Sequence, residues 1–351
     1  SKTSYNGNYG LNASWTIYNG SKRLNTIKQE KLNNQAANLD VETSENSIQE
    51  SIAQIYIQIR YAAESVKVNE NTLQVSIAQR DRGQELLNAG SIAKSDLAQL
   101  EAQVSTDRYQ LVTAQATLQD YKLQLKQLLE LDGENEMNVY LPALSDENVL
   151  LPLPTKKDVY MSALTLRPEI EASKLSVEAS ELGIDIAKAG YLPTISLSAG
   201  IGTNHTSGSD FTFGEQVKNG WNNSIGVSVS VPIFNNRQTK SAVQKAKLQR
   251  ETSLLSLLDE QKTLYKTIEG LWLDANSAQQ RYAAANEKLR STQISYDLIS
   301  EQFNLGMKNT VELLTEKNNL LQAQQEQLQA KYMAILNTQL LKFYQGDKLA
   351  L

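Results

Sequence analysis

Every proline in the chain (Pro142, Pro152, Pro154, Pro168, Pro193 and Pro232) falls between positions 142 and 232. Two long flanking stretches therefore lack the residue that breaks helices most effectively. From about 21 to 131, and again from about 237 to 344, the sequence is rich in Ala, Leu, Gln, Glu and Lys, the better helix formers. In the second stretch Leu264, Ile268, Leu271, Ala275, Ala278, Tyr282, Ala285, Leu289, Thr292, Tyr296, Ile299 and Phe303 alternate steps of four and three. That 3.5-residue period is the seam of a left-handed coiled coil. The first stretch carries a weaker version through Ile48, Ile52, Ile55, Ile59, Ala62, Val66, Asn69, Leu73, Ser76, Arg80, Gly83 and Leu87. A heptad series at Leu97, Val104, Leu111, Leu118 and Leu125 follows Gly90. The spacing predicts long antiparallel helical hairpins. Residues 21–89 as one helix would reach roughly 100 Å, far more than a compact domain needs.

The halves are related. A shift of 216 residues maps Gly90 onto Gly306, Ile17 onto Ile233, Gly10 onto Gly226, Tyr18 onto Phe234 and Leu97 onto Leu313, and the heptad positions coincide. Such a long shared period marks a duplicated unit: strand, long helix, turn at glycine, shorter helix. In the second unit a helix (about 156–190) and a strand (193–202) precede the strand at 224–234, whereas the first unit begins near Tyr9 without them. The natural chain is therefore expected to extend N-terminally by about one helix and one strand. Residues 1–7 show neither a charged n-region nor an apolar h-region, a feature that processed and cytoplasmic chains share.

Three runs alternate with period two: Tyr9-Gly-Leu-Asn-Ala-Ser-Trp-Thr-Ile17, Ile195-Ser-Leu-Ser-Ala-Gly-Ile201 and Ile225-Gly-Val-Ser-Val-Ser-Val231. One face is apolar and the other holds only Ser, Gly, Asn or Thr, without a charge. A soluble half-buried sheet usually shows Lys, Glu or Arg on its wet side. Small neutral groups suit a water-filled lumen, and the apolar face suits lipid; the runs approach the 9–11 residues of a tilted membrane strand. Tyr5, Tyr9, Tyr18, Tyr191, Phe211, Phe213, Trp221 and Phe234 gather near the strand ends, as interfacial girdles do. The alternative reading is a soluble coiled-coil scaffold or adhesin with a small capping β-sheet. Three strands cannot close a barrel and an open edge is forbidden in lipid, so membrane strands would have to be pooled among several chains.

Composition narrows the chemistry. The 351 residues include 34 basic and 39 acidic side chains, for a net charge of −5, which removes the electrostatic basis for general nucleic-acid binding. No cysteine is present and His205 is the one histidine, so disulfides, thiolate catalysis, Cys-ligated metal, a zinc His pair and a Ser–His relay are excluded. No run of 18 apolar residues exists, which excludes a membrane-spanning helix. The acidic stretch Asp132-Gly-Glu-Asn-Glu-Met-Asn138 lacks the spacing and terminal bidentate acid of a calcium loop. The Asn/Ser/Gly-rich residues 203–224 read as an external loop, with His205 a solvated residue in it. No enzyme, cofactor or metal is expected.

Taken in order, several motifs resemble those of one family, the TolC-like outer-membrane efflux proteins. They are Trp15-Thr-Ile-Tyr-Asn-Gly20 and Val231-Pro-Ile-Phe-Asn-Asn236 leading into long helices, and Gly90-Ser-Ile-Ala-Lys-Ser-Asp-Leu97. To these add Gly306-Met-Lys-Asn-Thr-Val-Glu-Leu-Leu314, Ala163-Leu-Thr-Leu-Arg-Pro-Glu169 and Ala189-Gly-Tyr-Leu-Pro193. The resemblance implies a mostly α fold with a transmembrane β portion. In that fold a homotrimer forms an α-barrel tunnel in the periplasm and a shared outer-membrane β-barrel with four strands from each protomer, against three in this chain. It implies a barrel strand at 1–20, a helical hairpin at 21–131, an equatorial linker at 132–168 and a helix at 169–190. A barrel β-hairpin at 191–235, a second helical hairpin at 236–345 and a tail at 346–351 complete the division. The implied function is passive export of drugs or other molecules across the outer membrane of a Gram-negative bacterium. The implied partners are a periplasmic adaptor, an inner-membrane transporter and outer-membrane lipid.

The resemblance also assigns roles. Gly90 and Gly306 match the periplasmic-tip turns where the adaptor docks. Ser95 and Asp96 match the polar pair of one hairpin, Phe303 takes the family's tyrosine position, Lys308 its arginine, and Glu312 its first acidic ring position. Thr315 stands where a second acid is common. The same residues also read as helix caps: glycine ends helices, and Asp96 and Glu312 sit early in helices, where acids complement the macrodipole.

Overall fold

The computed structural model describes residues 4–131, 137–142 and 149–349. Residues 132–136 of the acidic stretch weighed as a calcium loop, and 143–148 of the 132–168 segment, lie outside the described residues. The elements run β1 (Asn6–Asn19), α1 (Lys22–Asn88), α2 (Lys94–Leu128), α3 (Lys156–Leu166) and α4 (Pro168–Lys188). They continue with β2 (Thr194–Thr206), α5 (Phe213–Asn219), β3 (Asn222–Ser230), α6 (Gln238–Asn304) and α7 (Thr310–Gln345). The chain divides into two compact units, Ser1–Asp40 with Pro168–Glu260, and Val41–Arg167 with Gln261–Leu351.

In the first unit the sheet has order β1-β2-β3, both pairs antiparallel. The register shifts between Thr16 and Tyr18, a bulge that takes up Ile17 where the strand feeds its helix. In the same unit α4 starts at Pro168, with Glu169 and Glu171 in its first turn and Lys188 in its last. Proline at the first helical position gives up no bond, and the charges complement the dipole. Gln29 of α1 donates to the Ala179 carbonyl of α4 (2.7 Å), and Arg250 of α6 pairs with Glu181 (2.9 Å).

The second unit is held by the seam. Along α6, Leu264, Ile268, Ala275, Ala278, Tyr282, Ala285 and Phe303 are buried, and the remaining seam positions are half-buried. On α1, Ile59, Ala62, Asn69, Leu73, Ser76 and Gly83 are buried, while Ile48 at the start of its series is exposed. Fully enclosed side chains such as Ile57, Ile268 and Leu313 each contribute about 1.5–3 kcal/mol of transfer free energy. Segments outside the helices are bonded to them. Trp272 donates its indole N–H to the Pro154 carbonyl (3.0 Å), and Gln279 donates to Val149 and Leu151 (3.1 and 2.8 Å). Arg167 pairs with Glu50 (3.3 Å) and stacks 4.2 Å over the Tyr344 ring.

Two expectations for residues 203–224 are corrected. His205 lies within β2 opposite Gly7, its ring 5.0 Å from Phe213, and is half-buried rather than a solvated loop residue. The stretch also contains α5, which starts with a reciprocal cap: Glu215 N–H donates to Thr212 Oγ1 (3.4 Å), and Thr212 N–H to Glu215 (2.8 Å). Thr212-Phe-Gly-Glu215 is the capping-box spacing, overlooked among its polar neighbours.

The duplication extends to backbone conformation. Gly20 and Ser21 have φ of 66° and 64°, and their repeat mates Asn236 and Arg237 have 50° and 61°. Gly90 pairs with Gly306 (75° and 74°), and Glu130 with Gly346 (51° and 107°). Only Gly208 (84°) stands outside these pairs among the described residues. Left-handed backbone strains any residue with a Cβ by about 1–2 kcal/mol, so Glu130 carries a strain that Gly346 avoids. Glu130→Gly is therefore expected to raise stability by about 1 kcal/mol, and Gly346→Ala to lower it by at least that much. A Cβ at Gly346 would also stand 2.6 Å from Leu166 Cδ1. Thermal unfolding of the purified variants checks both signs.

Candidate functional site

In the first unit the candidate site is the sheet surface. Its register stacks Leu11–Ile201, Ala13–Ala199–Ile225, Trp15–Leu197–Val227 and Tyr18–Ile195–Val229 on one face. The other face stacks Asn12–Gly200–Ser224, Ser14–Ser198–Gly226 and Thr16–Ser196–Ser228. Within the chain the apolar face is uncovered: Leu11 is 72% exposed, Trp15 63% and Ile225 83%. Every residue of β3 is exposed, and among the described residues neither β1 nor β3 has a strand on its outer edge. Apolar surface left in the open marks a surface that meets something else.

In the second unit the candidate site is the pair of hairpin turns. After α1, Gly90 N–H bonds the Leu87 carbonyl (2.9 Å) and Ser91 N–H the Leu86 carbonyl (2.8 Å). After α6, Gly306 N–H bonds Phe303 (2.9 Å) and Met307 N–H bonds Gln302 (2.8 Å). Both are Schellman turns, which need a left-handed residue at the glycine. A Cβ at either glycine would meet nothing within 4 Å, so glycine is there for its φ and not for space.

The predicted gate residues separate into groups. Lys308 and Glu312 meet directly at 2.6 Å. Glu312 also accepts from the Asn309 N–H (3.3 Å), while Asn309 Oδ1 accepts from the Glu312 N–H (2.9 Å), closing a capping box. These bonds, Lys308 first and the Asn309 backbone next, hold the Glu312 carboxyl below its ordinary value. Asp96 caps α2 by accepting from the Ala93 N–H (3.0 Å), and Ser95 beside it is exposed. Phe303 is only 3% exposed, so its ring acts by packing beneath its turn.

Sequence reasoning missed a buried polar cluster. Lys317 of α7 donates to Asp107 of α2 and to Ser76 of α1, and Ser76 donates to Asp107. Gln103 completes the carboxylate's shell by donating to its other oxygen (2.9 Å). Burial pushes the Lys317 ammonium below its usual value, against the opposing pull of Asp107. The available signal was charge at a seam position. Asp107 follows Val104 by three residues and Lys317 follows Leu313 by four, where an apolar residue is expected.

Long helical hairpins turned by glycine in one unit, and in the other a small three-stranded sheet with exposed apolar side chains and open edges, define the class. Comparison with known proteins identifies the class. Residues 1–130 and 159–346 match the outer membrane efflux protein family, and the chain belongs to it. The chain is 24% identical over 333 residues to the outer membrane efflux protein BepC of Brucella suis, covering 94% of this chain and 70% of the relative. It is 25% identical over 311 residues to the outer membrane protein TolC of Escherichia coli, covering 84% and 60%. The chain thus spans about two thirds of the length of these curated relatives. Crystal structures of CusC share the fold with a TM-score of 0.84 at 19% identity, covering 99% of this chain and 83% of theirs. VceC of Vibrio cholerae gives 0.77 at 15%, covering 99% and 88%.

The lowered Glu312 carboxyl fixes a pH dependence. Its contribution is present above the unfolded value of about 4.3 and is lost as pH falls through the lower folded value. Melting curves between pH 7 and pH 3 should show wild type more stable than Glu312→Gln at neutral pH, with the difference vanishing at the acid end.

Proposed function

We propose that the chain is the outer-membrane exit duct of a tripartite exporter, a passive conduit and not an enzyme. In this reading identical copies, three by the family pattern, pool their strands into a membrane barrel and their hairpins into a periplasmic tunnel. The observation that carries the reading is the sheet: uncovered Val, Ile, Leu and Trp on one face, neutral Ser, Asn, Thr and Gly on the other, and open edges on both sides. An edge in hydrocarbon leaves backbone donors and acceptors unsatisfied, so in a membrane these edges must close against other copies. The apolar row then faces lipid and the small polar row lines water.

The second unit fits the mouth of such a duct. Gly90 and Gly306 turn the periplasmic tip, where an adaptor joined to an inner-membrane transporter docks. Ser95, Asp96 and the Lys308–Glu312 pair surround the opening, and Phe303 supports it from within. Symmetry brings one Asp96 and one Lys308–Glu312 pair from each copy toward the axis, so acids outnumber bases there and favour cations. Single-channel recordings of Glu312→Gln should show weakened cation preference; unchanged selectivity removes that role.

Electron micrographs of the purified full-length protein in detergent test the architecture. A threefold tube with a detergent belt at one end is expected, whereas a monomer dispersed in plain buffer overturns the reading. The two sheet faces should also respond differently to charge. Val227→Arg is expected to cost about 2–4 kcal/mol of stability in the bilayer if its row lies near mid-depth. Ser228→Arg should leave insertion intact and shift conductance toward anions, as bilayer recordings would show.

A further inference from the structure

The connection between β2 and β3 leaves the sheet on a defined side. Directly paired strand residues share a face, and residues two apart along a strand return to it. The register therefore carries the apolar face on without a break, from Leu11–Ile201 to Tyr9–Thr203 and then to Gly7–His205. Trp221, just before β3, keeps the parity of Ile225 and Val227. The Phe213 ring meets Tyr9 edge-on at 6.2 Å and lies 5.0 Å from His205. Helix α5 is thus seated on the apolar face of the sheet, not on its Asn, Ser and Gly face.

Bonds fix it there. A helix of seven residues does not persist alone, so its docking gives it order. Thr203 Oγ1 donates to the Val217 carbonyl (2.9 Å), and the Thr206 N–H donates to Gln216 Oε1 (2.9 Å). Gln216 Nε2 in turn donates to the Phe211 carbonyl (2.8 Å). Gln216 and Val217 are half-buried, yet Phe211, Phe213 and Trp221 stay 60%, 54% and 55% exposed. Large rings held in the open beside an uncovered apolar face mark a surface that meets a partner.

Height and charge identify that partner. From Ile195, in the row of Tyr18, to His205 is ten residues, about 33 Å along the strand and about 25 Å of height at a tilt near 40°. The apolar band of an outer-membrane barrel is about 25 Å tall, so α5 lies level with its rim. The exposed charges around α5 are Asp210, Glu215 and Lys218, which gives no excess of base to draw anionic headgroups. Burial of Phe and Trp at the boundary between headgroups and acyl chains is the force that remains.

We propose that residues 211–221 form a foot resting in the bilayer surface on the outer side of the sheet, with Phe211, Phe213 and Trp221 in the headgroup–acyl boundary. The β2–β3 connection is thereby held away from the wet face and does not hang over the lumen as a lid. This contact deepens the duct reading above and rests on it.

Tryptophan quenching in reconstituted full-length protein tests the foot. The chain has three tryptophans, Trp15, Trp221 and Trp272. One variant, Trp15→Phe with Trp272→Phe, reports from Trp221; the other, Trp221→Phe with Trp272→Phe, reports from Trp15 in the Leu197–Val227 row. Trp272→Phe is common to both, so any cost of losing its bond to Pro154 is shared. In phosphatidylcholine vesicles brominated high on the acyl chains, Trp221 emission should fall at least twofold, and aqueous iodide should quench it less. Lipid quenching of Trp15 with iodide quenching alone at Trp221 overturns the foot and leaves the duct standing. Lipid quenching at neither position removes both. Lipid quenching of Trp221 alone supports the foot while rejecting the membrane barrel, so the two failures are distinguishable.

Discussion

Helices of 67 residues such as α1 and α6 owe their stability in a protein to packing along one face, and that needs an apolar stripe with a steady period. The 3.5-residue seam supplies that stripe, and the rest of the second unit depends on it. Small Ala275, Ala278 and Ala285 and the rings of Tyr282 and Phe303 are all buried along it. An apolar seam alone tolerates slippage by a heptad, because every turn offers similar partners. Lys317 and Asp107, with the bonds of Trp272 and Gln279 to segments outside the helices and of Arg167 to Glu50, remove that degeneracy.

Much of this architecture is legible in the sequence, for definite reasons. The long helices follow from propensity and period, which act locally, and the glycine turns follow from the one residue type that reaches left-handed φ without strain. The alternation in residues 9–17, 195–201 and 225–231 identifies strands, and their register puts the apolar positions in shared rows. The buried Lys317–Asp107–Ser76 cluster escaped because a charged residue at a seam position reads as a solvated one until the facing helix is known. His205 and α5 escaped for the opposite reason: Asn, Ser and Gly around them mimic a loop, and only the pairing partner Gly7 and the Glu215 cap reveal order. Glu130 was invisible too, since nothing in its side chain signals positive φ; only its repeat mate Gly346 betrays it.

The duplication shows which parts of the plan are backbone and which are chemistry. The left-handed sites survive in both halves even where the residue has changed, as with Gly20 and Asn236. Charges are kept only in part: the turn after α6 carries the Lys308–Glu312 pair, while the turn after α1 keeps the capping acid as Asp96 but has Ile92 in place of the lysine. Backbone geometry is thus the shared inheritance, and local electrostatics differ between the two hairpins.

The sheet carries a kinetic consequence as well as a structural one. Its edges hold no lysine, no proline and no inward-pointing charge, the usual deterrents to unwanted pairing. A newly made copy therefore offers a sticky template to any extended polypeptide it encounters. Productive maturation becomes a race in which the proper partner strands must be met before unrelated ones, and the winner is set by local abundance rather than by the strength of the finished product.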